Sequence, residues 1–277
     1  MRLMRLRTPR AWRKARRALV GLAIAGIIAV LLGSPVAGQA LFGCGLLGLV
    51  LLESSQLRRS IQESQRQHHA HVQIRPLMGD VPLDLSGWAG DPVMVHNTVR
   101  LLVDVRPDLV VECGSGNSTV VIARCLRALG RGRIVSLEHD PDYARRTTDL
   151  LRLNGLNELA AVVTAPLVER EINGQAVRWY SPEYEHLLRK PIDMLVVDGP
   201  PGSSGPHARY PAVPLLRSRL ASECWIILDD GDRPDEQSIA RSWARELGAT
   251  LSYLEGGRGG WLLRCQAVGA AGSGARF

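Results

Sequence analysis

The sequence predicts an α/β domain with a doubly wound, parallel sheet, preceded by a hairpin of two transmembrane helices. From about Asp91, apolar runs of strand length alternate with segments of helix length, a pattern typical of parallel sheets with helices on both faces. Glycines and carboxylates follow several of these runs, at the end of the sheet where ligands bind. Between Ala18 and Leu52 there is no charged residue, as expected of membrane-spanning segments.

The basic excess of the chain belongs to an N-terminal arm, residues 1–17. The formal net charge is +7, but this arm holds every basic residue of the first 52 and no acid, and the folded part is near neutral. Beside a hydrophobic segment, such an arm sets membrane orientation or contacts anionic lipid. No nucleic-acid-binding motif accompanies it, so we expect a lipid bilayer and no nucleic acid as partner.

The uncharged run, residues 18–52, is divided by Ser34 and Pro35 into two segments of helix length. Basic residues flank both outer ends, which by the positive-inside rule favours a hairpin with both ends in the cytoplasm. We expect a bacterial inner membrane, with the folded domain on the cytoplasmic side. A signal peptide over residues 1–40 and a single tilted helix are the alternatives.

After the hydrophobic run, the pattern predicts a polar linker over residues 53–85, either helical or flexible, and a folded domain over residues 86–277. The five cysteines form no CxxC pair, and buried free thiols are the favoured interpretation.

Seven strands and four helices are predicted in the folded domain. The last two strands are joined by the glycine-rich turn EGGRGG, and we expect them to form an antiparallel hairpin. The predicted strands are Leu109–Glu112, Ile134–Glu138, Ala160–Thr164, Asp193–Asp198, Trp225–Asp229, Thr250–Leu254 and Gly260–Cys265. The predicted helices are Ser118–Leu129, Asp142–Asn154, Pro211–Ala221 and Asp235–Leu247.

A glycine-rich turn follows the first predicted strand, with Glu112, Gly114 and Gly116 at alternate positions. Glycines after a strand let the backbone turn sharply and approach a ligand closely. Ser118 and Thr119, which come next, can cap the following helix. Such turns are common, so this motif alone is a weak signal.

Glu138 ends the next strand. A carboxylate at this place can accept hydrogen bonds from both hydroxyls of a ribose. Alone, Glu138 would be interpreted as an exposed acid at the end of a strand. With the glycine turn upstream, a role in cofactor binding is favoured.

In order along the chain, VVECGSGNST, VSLEHDPDY and DMLVVDGPPG resemble the successive motifs of class I S-adenosylmethionine-dependent methyltransferases. The resemblance covers about residues 86–265 and is closest to bacterial domains with an E-x-G-x-G-x-S loop and a VDGPPG strand end. It implies a seven-stranded, Rossmann-like methyltransferase sheet and S-adenosylmethionine as cofactor.

The resemblance also implies roles for individual residues. Glu112, Gly114 and Gly116 would shape the pocket for the methionine part of the cofactor, and Glu138 would hold its ribose. The adenine would lie beside His139 and Ala165, and Asp198 would sit beside the sulfonium and the substrate. The cofactor-binding residues so implied are Glu112, Gly114, Gly116, Asn117, Ser118, Glu138, His139, Ala165 and Asp198.

Asp198, Asp229 and Asp230 match the places that hold a divalent cation in catechol O-methyltransferase-like enzymes. Oxygen ligands of this kind would suit Mg²⁺ or Mn²⁺, which would lower the pKa of a substrate hydroxyl. An acidic loop that caps a helix is the alternative. Those enzymes carry a lysine three residues after the first Asp, where this chain has Pro201. In place of that base, His207 or a hydroxyl already ionised by the metal would have to serve. Asp198 and His207 are the candidate catalytic residues.

These observations favour a membrane-anchored methyltransferase that acts on oxygen of a small-molecule, lipid-linked or glycan substrate. A nicotinamide-dependent oxidoreductase shares the glycine turn and the acid. The chain has no Tyr-x-x-x-Lys pair, since Lys14 and Lys190 are its only lysines. A non-catalytic, membrane-tethered binding protein of the same fold is the other alternative, because the expected lysine is missing.

Overall fold

The computed structural model describes residues 9–79, 83 and 91–266. The chain divides into two units, Met1–Gln65 and Arg66–Phe277. Of the predicted segments, residues 1–8 of the basic arm lie outside the described residues. So do residues 80–82 and 84–85 of the linker, and residues 86–90 and 267–277 of the folded domain.

The first unit consists of helix α1 (Pro9–Leu31) and most of helix α2 (Pro35–Ile74), joined by a short turn. Residues 53–74, predicted as part of a linker, are the continuation of α2. In the part of the chain that the structure describes, one helix, over Pro35–Leu77, has the length and composition needed to cross a membrane.

Within the first unit, α1 and α2 lie side by side and antiparallel. Arg16 Nε is 3.2 Å from Glu53 Oε1, and a Cβ on Gly45 would lie only 2.7 Å from the backbone nitrogen of Ala23. Glycine permits such close approach of two helices because it has no side chain. The outward side chains are large and apolar, as at Leu47, which is 61% exposed.

We expect Gly45→Val to loosen the packing of α1 on α2, because its side chain would collide with the backbone of Ala23. Overpacking of this kind costs about 1–3 kcal/mol. The control is Gly43→Val, since a Cβ at Gly43 meets nothing within 4 Å. Spin labels at positions 16 and 53 of the full chain in detergent should move apart in Gly45→Val alone. An unchanged distance distribution would contradict the packing.

The second unit is an α/β domain, and all seven predicted sheet strands are confirmed. Among the described residues, they form one sheet in the order β3-β2-β1-β6-β7-β9-β8. The strands of the domain are β1 (Leu109–Cys113), β2 (Arg133–Glu138), β3 (Ala160–Thr164), β4 (Leu167–Ile172), β5 (Gln175–Tyr180), β6 (Ile192–Val197), β7 (Leu220–Asp229), β8 (Thr250–Leu254) and β9 (Gly260–Cys265). The first five strands in the sheet order are parallel, and β9 is antiparallel to both β7 and β8.

Helices cover both faces of the sheet, as the alternating pattern predicts. The α-helices of the domain are α3 (Pro92–Val105), α4 (Asn117–Leu129), α5 (Pro141–Leu153), α6 (Ala212–Leu216) and α7 (Pro234–Leu247). Short 3-10 helices occur at Arg75–Leu77, Pro182–Leu187, Gly202–Ser204 and Arg217–Arg219. Alternate residues of β1 enter different cores, Val111 on one face and Val110 on the other. The side-chain alternation of a strand therefore builds two cores around one sheet.

Several elements differ from the prediction, and one of them, helix α3 (Pro92–Val105), was not predicted. The predicted helix Pro211–Ala221 is wrong in its length, because α6 ends at Leu216 and β7 begins at Leu220. Leu220 pairs with Ile192, so the C-terminal part of the predicted helix is already sheet. An additional two-stranded sheet, β4 paired with β5, was not predicted.

The sheet order places β1 beside β2 on one side and beside β6 on the other. The connections after β1 and β6 therefore leave the sheet in opposite directions along the strand order. A crevice at this point, outside the carboxyl ends of the strands, is where doubly wound sheets bind ligands.

Candidate active site

The glycine turn after β1 is built over the buried carboxylate of Glu112. One carboxylate oxygen accepts a hydrogen bond from the Ser118 hydroxyl at 2.6 Å. The other accepts from the hydroxyls of Thr119 at 2.5 Å and Ser136 at 2.7 Å. Burial raises the pKa of Glu112, although the three hydroxyl donors oppose the shift. Glu112 thus fixes the turn from below and joins β1, β2 and the first turn of α4.

The turn itself brings the ends of β1 and β6 together. Gly114 has a φ of +102°, which favours glycine. The carbonyl of Cys113 accepts hydrogen bonds from the backbone N–H groups of Asp198 at 3.0 Å and Gly199 at 2.7 Å. Two of the predicted motifs therefore lie against each other at the carboxyl edge of the sheet.

The remaining residues of the turn begin helix α4. Asn117 is the first residue of the helix, and Gly116 precedes it. The N–H of Gly116 donates to the Thr119 hydroxyl at 3.1 Å. The hydroxyl of Ser118, which was expected to cap the helix, donates to Glu112 instead.

Glu138 lies beside the glycine turn, at the end of β2. Its Oε2 accepts from the backbone N–H of Ser115 at 2.9 Å and from the Ser115 hydroxyl at 3.0 Å. Its Oε1 accepts from the N–H of Asp140 at 3.0 Å and lies 2.9 Å from His139 Nδ1. Ala165 is buried next to this strand end, and its N–H donates to the Glu138 carbonyl at 2.7 Å.

The three aspartates proposed as metal ligands do lie together. Asp198, Asp229 and Asp230 each offer a carboxylate oxygen within 4.8 Å of the other two. Asp229 and Asp230 are buried, whereas the side chain of Asp198 is 38% exposed. Burial, with the charges of Asp198 and Asp230, raises the pKa of Asp229 to about 8. Burial also raises the pKa of Asp198, against the opposing charge of Arg209.

Arg209 holds this acidic cluster together from inside the protein. Its side chain is only 4% exposed. Nη2 donates to the Asp198 carbonyl at 2.6 Å and lies 2.8 Å from Asp230 Oδ2. Nη1 donates to the Asp229 carbonyl at 3.0 Å. One guanidinium therefore binds the backbone at the ends of both β6 and β7.

Two further arginines contact the same acids. Arg258 Nη2 lies 3.3 Å from Asp229 Oδ2, and Arg258 Nε lies 3.0 Å from Asp230 Oδ1. Arg233 Nη1 lies 2.8 Å from Asp230 Oδ2. The charges of the three aspartates raise the pKa of Arg258, although its partial burial has the opposite effect.

Arg258 was not selected from the sequence. Arg209 had two open interpretations, contact with a substrate or an ion pair with a nearby acid, and the structure shows the ion pair. Arg258 lies in the EGGRGG turn before β9, and Asp229 at the end of β7 pairs with Gly260 of β9. The predicted antiparallel hairpin was the only available signal that this turn would reach Asp229. The sequence did not show which groups Arg209 would contact, because its contacts depend on the path of the chain after the VDGPPG motif.

His207 lies apart from the predicted cofactor residues. It lines a cavity of about 600 Å³ together with the β4–β5 hairpin and α7, and the residues that line this cavity include none of the predicted carboxylates. The backbone N–H of His207 donates to Asp235 Oδ2 at 3.2 Å. The role of His207 as a base stays a prediction.

With this geometry in place, comparisons with known proteins identify the domain. Residues 111–231 match a protein family described as a methyltransferase domain. This range begins in β1 and ends just after β7, so it contains the glycine turn, Glu138 and the acidic cluster. These residues of the chain are part of a methyltransferase domain.

Two solved structures show the same fold as this methyltransferase. A methyltransferase from Podospora anserina, solved with S-adenosylhomocysteine bound, is 14% identical with a TM-score of 0.52, over 77% of this chain and 96% of that one. A protein from Staphylococcus aureus, provisionally described as a caffeoyl-CoA O-methyltransferase, is 12% identical with a TM-score of 0.52, over 76% of this chain and 99% of that one. No curated protein matches the chain in sequence.

We expect Arg209→Met to destabilise the methyltransferase domain strongly. The substitution removes the cation but leaves the buried carboxylates of Asp229 and Asp230 beside it. Breaking a buried ion pair in this way costs about 3–5 kcal/mol. The control is Arg245→Met, because Arg245 is exposed and its recorded hydrogen bond is to Ser242. Urea unfolding gives the free energy of unfolding of each variant. Equal values for Arg209→Met and Arg245→Met would contradict a structural role for Arg209.

Proposed function

We propose that this protein is a membrane-anchored O-methyltransferase that binds S-adenosylmethionine between the ends of β1, β2 and β6. The observation that carries the proposal is the contact between the end of β1 with its glycine turn and the Asp198–Gly199 segment. The N–H groups of Asp198 and Gly199 both donate to the Cys113 carbonyl, and Gly199 lies against Gly114. This contact brings the glycines, Glu138 and Asp198 to one side of the crevice where such sheets bind nucleotide-containing ligands.

A buried hydroxyl group supports a polar ligand at this place. The side chain of Tyr180 is fully buried, and among the residues that the structure describes its hydroxyl has no hydrogen-bond partner. The hydroxyl lies under the β6 turn, since a Cβ on Gly199 would be 2.5 Å from it and 3.1 Å from the Gly114 nitrogen. Buried polar groups are usually paired, so a polar group of the cofactor is a suitable partner.

Glu138 is proposed to bind the ribose hydroxyls of the cofactor. It is almost fully buried at the strand end, and its carboxylate oxygens already accept from two fixed backbone N–H groups, those of Ser115 and Asp140. A ribose would replace the two movable neighbours, the Ser115 hydroxyl and the His139 ring. The backbone donors would then hold the carboxylate in a fixed orientation.

When bound, S-adenosylmethionine supplies an electrophilic methyl group on a sulfonium. Asp198 is proposed to face this group, because its N–H is fixed at the glycine turn and its side chain is partly exposed. A hydroxyl acceptor loses its proton during transfer, and Asp198 can accept that proton. We favour Asp198 over His207 for this step, because His207 lines a cavity that the glycine turn does not reach.

Oxygen as the acceptor atom and a small-molecule, lipid-linked or glycan substrate remain part of the proposal. The Staphylococcus aureus protein of the same fold is described as an O-methyltransferase. A carboxylate that accepts a hydroxyl proton is consistent with this chemistry. A non-catalytic binding protein would retain the cofactor site but give no methylated product.

Membrane anchoring is proposed for both helices of the N-terminal unit. α2 has the length and hydropathy for a span, and α1 packs along it with the ion pair of Arg16 and Glu53 at one end. Exposed apolar side chains along both helices suit contact with lipid. The basic residues Arg13, Lys14, Arg16 and Arg17 of α1 and the arginines of α2 would then lie on the cytoplasmic side.

The described arrangement does not fit the divalent ion expected from the sequence. Oxygen atoms of all three aspartates are bound by guanidinium groups, and Arg209 lies among them. Mg²⁺ needs near-octahedral oxygen ligands at about 2.0–2.1 Å, which these atoms cannot supply while the guanidinium groups remain. No catalytic step is therefore assigned to a metal.

We expect Glu138→Ala to weaken binding of S-adenosylmethionine roughly 10- to 100-fold, because it removes a charged hydrogen-bond acceptor for the ribose. Calorimetric titration of the full chain in detergent measures the dissociation constant. The control is Glu185→Ala, which changes a half-exposed acid of the 3-10 helix Pro182–Leu187. Equal affinity in wild type and Glu138→Ala would contradict this location of the ribose.

We expect Asp198→Asn to reduce methyl transfer about 100- to 10,000-fold, because it removes the proton acceptor. The full chain is incubated with S-adenosylmethionine carrying a tritiated methyl group and with lipid or aqueous extracts of the source cells. Label in one extract, released as methyl iodide by hydriodic acid, would identify an O-methyl product and its solubility class. Cofactor binding without transfer to either extract would favour the non-catalytic alternative.

A further inference from the structure

We propose that Arg209 and Arg258 occupy the cation position of the acidic cluster, so that this methyltransferase assembles Asp198, Asp229 and Asp230 without a divalent ion. The inference concerns the site of the proposed function, but it depends on the charges of the cluster and not on methyl transfer. It assigns the three aspartates to a permanent ion network.

The proposal rests first on the position of Arg209 between two of the aspartates. Its Nη2 is within hydrogen-bond distance of both Asp198 Oδ1, at 3.2 Å, and Asp230 Oδ2, at 2.8 Å. An ion that bridged these two carboxylates would have to lie where this nitrogen lies. A guanidinium donates five N–H groups and offers no lone pair, so it replaces the ion and cannot join its ligand set.

The backbone contacts of Arg209 make this position permanent. The same two terminal nitrogens bind the carbonyls of Asp198 and Asp229. A metal ion that displaced Arg209 would break these bonds and leave the guanidinium, in a side chain that is 4% exposed, with only the longer contact to Glu236 Oε1 at 3.9 Å. Burial of a charge that has lost most of its partners is strongly unfavourable.

Arg258 closes the other side of the cluster. Its Nη2 donates to Asp229 Oδ2 at 3.3 Å, and its Nε forms an ion pair with Asp230 Oδ1 at 3.0 Å without hydrogen-bond geometry. Its own backbone N–H donates to Asp91 Oδ2 at 2.9 Å, so the EGGRGG turn is held in place before α3. Together, the two guanidinium groups reach a carboxylate oxygen of every aspartate in the cluster.

Electron paramagnetic resonance with Mn²⁺ tests this proposal, because bound Mn²⁺ loses the sharp spectrum of the free ion. The full chain in detergent is titrated with Mn²⁺ alone. We expect the wild type to show no stoichiometric binding of Mn²⁺. Its melting temperature should be the same in the presence of Mg²⁺ and of a chelator. Arg258→Gln, which removes one cation and releases two carboxylate oxygens, should bind Mn²⁺ at least about tenfold more tightly than wild type.

Arg264→Gln is the matched control. Arg264 lies on the neighbouring part of β9 with its guanidinium over the Trp225 ring, 4.9 Å from the ring centroid. We expect it to behave as wild type with Mn²⁺. Arg258 is partly exposed, so the variant tested changes a surface-accessible side chain and leaves the buried Arg209 in place.

Two outcomes overturn the proposal. One is stoichiometric Mn²⁺ binding by wild type that is lost in Asp230→Asn. The other is equal Mn²⁺ affinity in wild type and Arg258→Gln. Neither outcome depends on S-adenosylmethionine, so failure of the cofactor or transfer experiments would leave this test intact.

Discussion

The ends of β6 and β7 are held by one buried guanidinium, and the acidic side of the site depends on it. Parallel strands deliver their carboxyl ends to the same edge, so Asp198, Asp229 and Asp230 are brought together by the topology of the sheet. Like charges at this separation repel strongly when water is excluded. Arg209 compensates them and also binds the two strand-end carbonyls. Arg209 therefore both balances the charge of the acidic cluster and fixes the two strand ends relative to each other.

The sheet was predictable because its signals are local. β1 and β6 are continuous apolar runs, and strands buried on both faces have this composition. The site residues Glu112, Glu138 and Asp198 could be placed because each lies at or next to the end of such a run. Their joint position then follows from strand polarity alone, which is why the carboxylates that sequence reasoning selected do converge.

The features that were not predicted differ in whether the sequence carried a signal for them. The β4–β5 hairpin had a local signal, the dipeptide Asn173-Gly174, whose residues both have positive φ in the turn. The shortening of α6 had none, because the start of β7 is set by its pairing with Ile192 across the sheet. Arg209 was equally hidden, since an arginine in a loop is usually a surface residue. The meeting of the aspartates was therefore predictable from the sequence, whereas the arginines that form ion pairs with them were not.

The hydroxyl network around Glu112 determines how the glycine turn meets its ligand. Ser118, Thr119 and Ser136 all donate to this one carboxylate, so the first turn of α4 is tied to the strands on which it stands. The chain loses the conformational entropy of this loop when the domain folds, and little remains to be lost when a ligand arrives. Preorganisation of this kind strengthens binding without adding a contact. A buried carboxylate beneath the turn can thus contribute to the affinity of the site.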